Sequence, residues 1–267
     1  MPALIHHLLV AFLVLIVPVW GRIEAAKLHR TRDPARKMRS YRRTLVWLWT
    51  ATILLLATTP FARLWRPPGL GVLDAWRTSS AGPSVMLSVA IGVAIGVLAF
   101  TSMSIVAARR NPDVRQQMRK SLEQVEFLLP QTPRERVWFT AVALSAGICE
   151  EIIFRGFLIR YVQALPIGIG VGASIVIAAL IFGLDHGYQG VRGFIVTTVV
   201  ALVLSALFFL AGSLWLPIAL HAAIDLRVLA LPAVVPSAAK DVGPATRTAI
   251  HHRDTEATEN SDGKSSL

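Results

Sequence analysis

Residues 141–162 read AVALSAGICEEIIFRGFLIRYV, and three of the four charges inside them decide how the chain is to be understood. The stretch belongs to an apolar run over about 137–160, long enough to cross a hydrocarbon core that needs about 20 residues per helix. Yet Glu150 and Glu151 sit near its middle, and Arg155 follows one turn after Glu151. Ionisable side chains at such a depth are costly, so each needs a partner or a purpose. Helical geometry puts Glu151 and Arg155 about 40° apart on one face, within reach of an i,i+4 ion pair. Glu150 points about 100° away from Glu151, so the same arginine cannot neutralise it equally well. One carboxylate is accounted for and one is left over. A desolvated carboxylate without a partner suits a general base. The competing reading is a polar pair that glues helices together.

Outward from this segment, six more stretches reach a comparable length: about 4–20, 44–62, 84–108, 166–186, 193–212 and 214–234. The chain of 267 residues is 54% hydrophobic and only 16% charged. Soluble domains sit near 45–50% apolar and roughly 25% charged. The expected fold is therefore all-α, a polytopic transmembrane helix bundle of about seven spans. A soluble enzyme core, a disordered chain and an acidic scaffold are excluded. The net charge of +11, from 27 Lys+Arg against 16 Asp+Glu, could point to nucleic acid, but most of the chain is too apolar for a nucleic-acid surface. Nine Lys/Arg fall in residues 21–43 and seven between Arg109 and Arg136, with three in the linker Arg63–Arg77. The positive-inside rule makes the two basic stretches cytoplasmic and the N-terminus external. With seven spans the C-terminal tail is cytoplasmic, and the basic stretches can grip anionic lipid. The first segment has no Lys or Arg before it and no clear cleavage site, so it reads as a retained helix.

Three divisions follow: N-terminal transmembrane helices with a basic loop over 1–110, a core over 111–235, and a polar, disordered tail over 236–267 that contains His251 and His252. Val114, Met118, Leu122, Val125 and Leu128 recur every three or four residues between charges, which predicts an amphipathic helix on the inner leaflet or packed on other loops. Gly92–Gly96 and Gly168–Gly172 have the small-xxx-small spacing that permits close helix packing. Cys149 is the only cysteine, so there is no intramolecular disulfide framework; it reads as a small residue at a helix contact.

Two further places in the apolar part carry charge. Phe182 and His186 are one turn apart near the end of the fifth segment, with Asp185 beside the histidine. His221 and Asp225 are one turn apart in the seventh. Glu150, His186 and His221 come from three separate segments and can converge in one water-filled cavity. A carboxylate and a histidine can hold and deprotonate a water, and a second histidine with an acid can donate to the oxyanion formed at a carbonyl. Alternatively, two histidines and one glutamate match the ligand set of a catalytic zinc site, with Glu150, His186 and His221 as the metal ligands. No HExxH motif exists in the chain. For Glu150 to meet His186, which lies near the inner end of its segment, the fourth helix must start in the inner headgroup region or tilt.

Taken in order, Glu150-Glu151-x-x-x-Arg155, Phe182-x-x-x-His186 and His221-x-x-x-Asp225 resemble the three motifs of the CAAX prenyl protease and bacteriocin-processing family, whose members are intramembrane endopeptidases often called Abi proteins. The resemblance covers about residues 120–230. It implies a membrane-embedded helical fold with a conical cavity open to the cytoplasmic side and the bilayer. It implies Glu150 as the base that activates water with help from His186, and His221 with Asp225 as the oxyanion support. Glu151 and Arg155 would hold the fourth helix in register. Many members carry Asn where this chain has Asp225, and an ionised Asp cannot donate a hydrogen bond. The family's catalytic type is open between glutamate-type and metallo-, so a divalent metal such as zinc is a conditional cofactor.

The expectation is thus a multi-pass plasma-membrane protease cleaving a membrane-associated peptide or protein, with the lipid bilayer as its other partner. Two rivals stay open: a non-catalytic bacteriocin-immunity or scaffold protein on the same fold, and a proton-coupled small transporter using Glu150, His186 and His221 as relays. The absence of repeated halves counts against the transporter. With 22 Arg against 5 Lys, the composition leans towards a bacterial source.

Overall fold

Proline after a polar cap opens three of the helices. Asp33, Asn111 and Thr132 each precede a proline, and each accepts a hydrogen bond from a backbone N–H of the first turn, at 2.9, 2.8 and 3.2 Å. Proline at the first helical position loses nothing, because its missing N–H would be unpaired there anyway. The computed structural model describes residues 3–31 and 33–230, so the polar tail over 236–267, with His251 and His252, lies outside the described residues.

In chain order the helices are α1 (Leu4–Thr31), α2 (Pro34–Thr58), α3 (Phe61–Trp65), α4 (Gly71–Thr78) and α5 (Gly82–Arg110). They continue as α6 (Pro112–Leu122), α7 (Pro133–Gln163), α8 (Val171–Asp185), α9 (Gly190–Ala211) and α10 (Trp215–Leu226). Among the described residues there is no strand, and the architecture is an all-α helix bundle. Each of the seven apolar segments meets a helix within the described residues, where four helices are long and apolar enough to cross a membrane: α1, α5, α7 and α9 extended back to Gly187. α2 spends its first turns on basic residues, and α8 and α10 are short.

Basic residues 21–43 do not form a loop. α1 runs on through Thr31 and α2 begins at Pro34, so the stretch is two helix ends around a tight turn. Burial explains it: Glu24 and Lys37 are both inside, Glu24 paired with Arg43 and Lys37 with Glu135 at 3.1 Å. Lys37 also donates to the Leu129 carbonyl, which ties the turn to the start of α7. The amphipathic stretch is helical as α6 and then tightens into a 3₁₀ turn over Glu123–Leu128. Its Met118 and Leu122 pack against Leu129 together with Ile105 and Val228.

The main core gathers Leu9, Leu13 and Val17 of α1, Leu55 of α2, Ile153 and Leu158 of α7, Phe182 of α8 and Phe208 of α9. The first segment is therefore packed into the same apolar cluster as the motif helix. A second cluster joins α5 to α9 and α10 through Ala90, Ala94, Leu204 and Leu220.

Close helix approach occurs at glycines other than the two spaced pairs. A Cβ on Gly92, Gly96, Gly168 or Gly172 would meet nothing within 4 Å. A Cβ on Gly147 of α7 would lie 3.0 Å from both the Cβ and the backbone nitrogen of Ala222 in α10. Gly147 thus lets α10 press its backbone against α7 one residue from His221. Gly147→Leu is expected to push the two helices apart while the bundle still assembles. Matching helical circular dichroism with a lowered thermal midpoint in detergent is the expected pair of readings, and an unchanged midpoint would contradict it.

Candidate active site

Just after Glu150 the motif helix changes pitch. Glu151–Leu158 forms a π-helical turn, and all eight of its residues are buried. Such turns interrupt α-helices at functional sites. This one still leaves Glu151 and Arg155 on one face, with Arg155 Nη1 donating to Glu151 Oε1 at 2.9 Å. Both side chains are almost wholly enclosed, so the pair is a buried one. Arg155 also donates to the Ala201 carbonyl of α9 at 3.1 Å, and its guanidinium lies 4.9 Å from the centre of the Phe182 ring.

Glu151 does more than hold its own helix. The same Oε1 receives His221 Nδ1 at 2.7 Å, so one carboxylate oxygen joins Arg155 of α7 to His221 of α10. A carboxylate only accepts, so the ring donates from Nδ1. Nε2 is thereby aimed away from Glu151, 3.9 Å from Glu150 Oε2 and 3.7 Å from Asp225 Oδ2. The group bonded to His221 is therefore Glu151, while Asp225 stands beyond hydrogen-bond distance. The one-turn spacing of His221 and Asp225 pointed to each other; a partner 70 positions away leaves no local signal in the sequence.

His186 caps the C-terminal end of α8. Its Nδ1 lies 2.8 Å from the Phe182 carbonyl, an acceptor, so that nitrogen carries the hydrogen and Nε2 keeps its lone pair in the neutral ring. The Phe182 ring stacks on the imidazole with centroids 4.5 Å apart and meets His221 edge-on at 5.9 Å. Phe182 is thus the apolar wedge that spaces the two histidines and Arg155.

Glu150 and His186 line one cavity of about 160 Å³. Its other walls include Trp20 and Glu24 of α1, Ser40 and Trp47 of α2, and Leu128. Glu24 and Ser40 belong to the basic ends of α1 and α2, Trp47 to the apolar part of α2, and Leu128 to the 3₁₀ turn that follows α6. α8 has 15 residues and rises only about 22 Å, less than the roughly 30 Å hydrocarbon thickness. His186, just past its end, shares the cavity with Glu150 near the middle of α7. Glu150 Oε2 is buried without a hydrogen-bond partner, as are both carboxylate oxygens of Asp185, which lines the same cavity. Asp185 stood in the sequence only as a neighbour of His186; nothing short of its burial marks it out.

Among the described residues, no group of three or more His, Cys, Asp or Glu side chains is placed to hold a metal ion. Glu150, His186 and His221 do not close into a ligand cage in this arrangement. Cys149 is buried at a helix contact beside Leu48 and Ala146.

Residues 132–227, about a third of the chain, match the family described as type II CAAX prenyl endopeptidase, Rce1-like. No curated protein and no solved structure matches the chain. The matched span opens at the cap of α7, ends just past α10 and contains every residue of the Glu150–Arg155, Phe182–His186 and His221–Asp225 motifs. Around those residues, four of the described helices are long and apolar enough to cross a bilayer, and the matched segment is similar to the CAAX prenyl endopeptidase family.

Proposed function

We propose that the protein hydrolyses a peptide bond of a membrane-associated peptide or protein, using a water activated by Glu150 and His186. The observation that carries this is the pair of free acceptors on one cavity: the unpartnered Glu150 Oε2 and, with Nδ1 committed to Phe182, the His186 Nε2. Two such acceptors hold a water by both its hydrogens and leave its oxygen lone pair free to attack. The water oxygen bonds to the carbonyl carbon as Glu150 takes the proton. The carbonyl oxygen becomes an oxyanion, and His221 Nε2, aimed by Glu151, is the donor for it. Because Nδ1 is already donating, that role belongs to the imidazolium form of His221. Collapse breaks the C–N bond, and Glu150 returns its proton to the leaving nitrogen. Asp225, facing the same Nε2, orients the ring or, protonated, adds a second donor.

Part of the cavity wall, Glu24 and Ser40, comes from the basic ends of α1 and α2, so cytoplasmic placement of those ends makes this an inward-opening site of a plasma-membrane protein. A scaffold or immunity protein has no use for a desolvated, unpartnered glutamate, and a proton relay has no use for a histidine clamped by a buried Glu–Arg pair.

The test is cleavage of a membrane-peptide library by protein reconstituted in liposomes, read by mass spectrometry. Wild type is expected to yield new termini and Glu150→Gln to be slower by about 10²–10⁴-fold, the usual worth of a positioned acid–base group. Equal cleavage by both proteins would overturn the reading.

A further inference from the structure

Asp185 is the last residue of α8, where the helix dipole already presents negative charge and an acidic side chain is disfavoured. It is nevertheless buried, 9% exposed, and both of its carboxylate oxygens are shielded without a hydrogen-bond partner. A carboxylate in that setting asks for a cation. No cation among the described residues supplies it. Arg22 lies against Gly187, two residues on, yet makes no bond to Asp185, and Arg43 is spent on Glu24 and the Trp20 ring. Although the chain carries a net +11, the cavity shared by Glu150 and His186 is lined, among the described residues, by Glu24, Glu150 and Asp185 and by no lysine or arginine. Trp47 and Tyr188 add aromatic walls of the kind that hold ammonium and guanidinium groups.

We propose that Asp185, at the negative end of α8, is the specificity group for a positive charge on the peptide substrate: a Lys or Arg side chain, or a free amino terminus, seated beside the bond to be cleaved. The proposal rests on the endopeptidase reading and deepens it by naming the substrate class. The cation reaches the cavity with the substrate, fills the unmet demand of the Asp185 carboxylate, and so fixes the peptide's register against Glu150 and His186. A neutral peptide of the same length leaves that carboxylate unpaired and binds more weakly.

Three fluorescent, membrane-soluble peptides test it, with full-length protein in nanodiscs and a chelator in the buffer. One is acetylated and carries a single Lys, the second is its acetylated Gln counterpart, and the third has a free amino terminus and no Lys. Wild type is expected to bind one or both cationic peptides about tenfold more tightly than the Gln peptide, the range of a hydrogen bond to a charged group. Preference for the Lys peptide assigns the side chain, and preference for the third assigns the terminal amine. Asp185→Asn is expected to erase the difference by weakening only the cationic peptides, and Asp185→Glu to keep it. Equal affinities in wild type, or a preference that survives Asp185→Asn, overturn the proposal. Failure of the endopeptidase reading shows separately, as binding that discriminates charge while no peptide is cut.

Discussion

Arg155→Met should destabilise the protein by about 3–5 kcal/mol, the cost of breaking a buried ion pair by removing one partner. Arg155 is 1% exposed, and its guanidinium meets Glu151, the Ala201 carbonyl and the Phe182 ring within one apolar cluster. Methionine fills much of the volume but leaves the Glu151 carboxylate charged and the Ala201 carbonyl with one bond fewer. Thermal unfolding in detergent should show a large drop in midpoint. The double variant Arg155→Met with Glu151→Gln removes the orphaned charge while keeping an amide oxygen for His221, so it should recover a good part of the loss. A single variant as stable as wild type would mean that Glu151 has no need of its arginine.

His221→Gln should act on catalysis instead. The side chain loses the aimed Nε2 donor while roughly keeping the volume packed against Phe182 and α7. Removing one preorganised oxyanion donor costs about 10²–10³ in kcat. The loss should fall on kcat with KM little changed, because the oxyanion exists only after water has added. A rise in KM with unchanged kcat would instead make His221 a substrate-binding group. Glu151→Gln should reproduce part of the kcat loss, since it loosens the group that aims the ring.

The residues at stake were legible to different degrees, for physical reasons. Charges within oily segments are so costly that Glu150, Glu151, Arg155, His186, His221 and Asp225 stand out in the sequence, and the helical period alone pairs Glu151 with Arg155, as the fold does. The bridge from Glu151 to His221 was not legible, because a period of 3.6 residues says nothing about which face of α10 meets α7. That register is set by Gly147 against Ala222, a contact 75 positions apart. The glycine pairs at regular spacing misled for the converse reason: spacing shows where a helix can be approached, and no neighbour comes to Gly92 or Gly96. Basic residues 21–43 looked like a loop because charge density dominates a hydropathy window, whereas Glu24 and Lys37 turn inward to partners distant in sequence. The short length of α8 was hidden by Asp185 and His186, polar residues that looked like a segment boundary and line the cavity instead.

The central claim is that a water held by Glu150 and His186 attacks the peptide bond directly. Single-turnover cleavage in ¹⁸O-labelled water with hydroxylamine present examines that step most closely. The account predicts one ¹⁸O in the new C-terminal carboxylate, no peptide hydroxamate, and a rate that collapses in Glu150→Gln. Hydroxamate formation, which reports an acyl-enzyme on some other nucleophile, or an undiminished rate in Glu150→Gln, would contradict it.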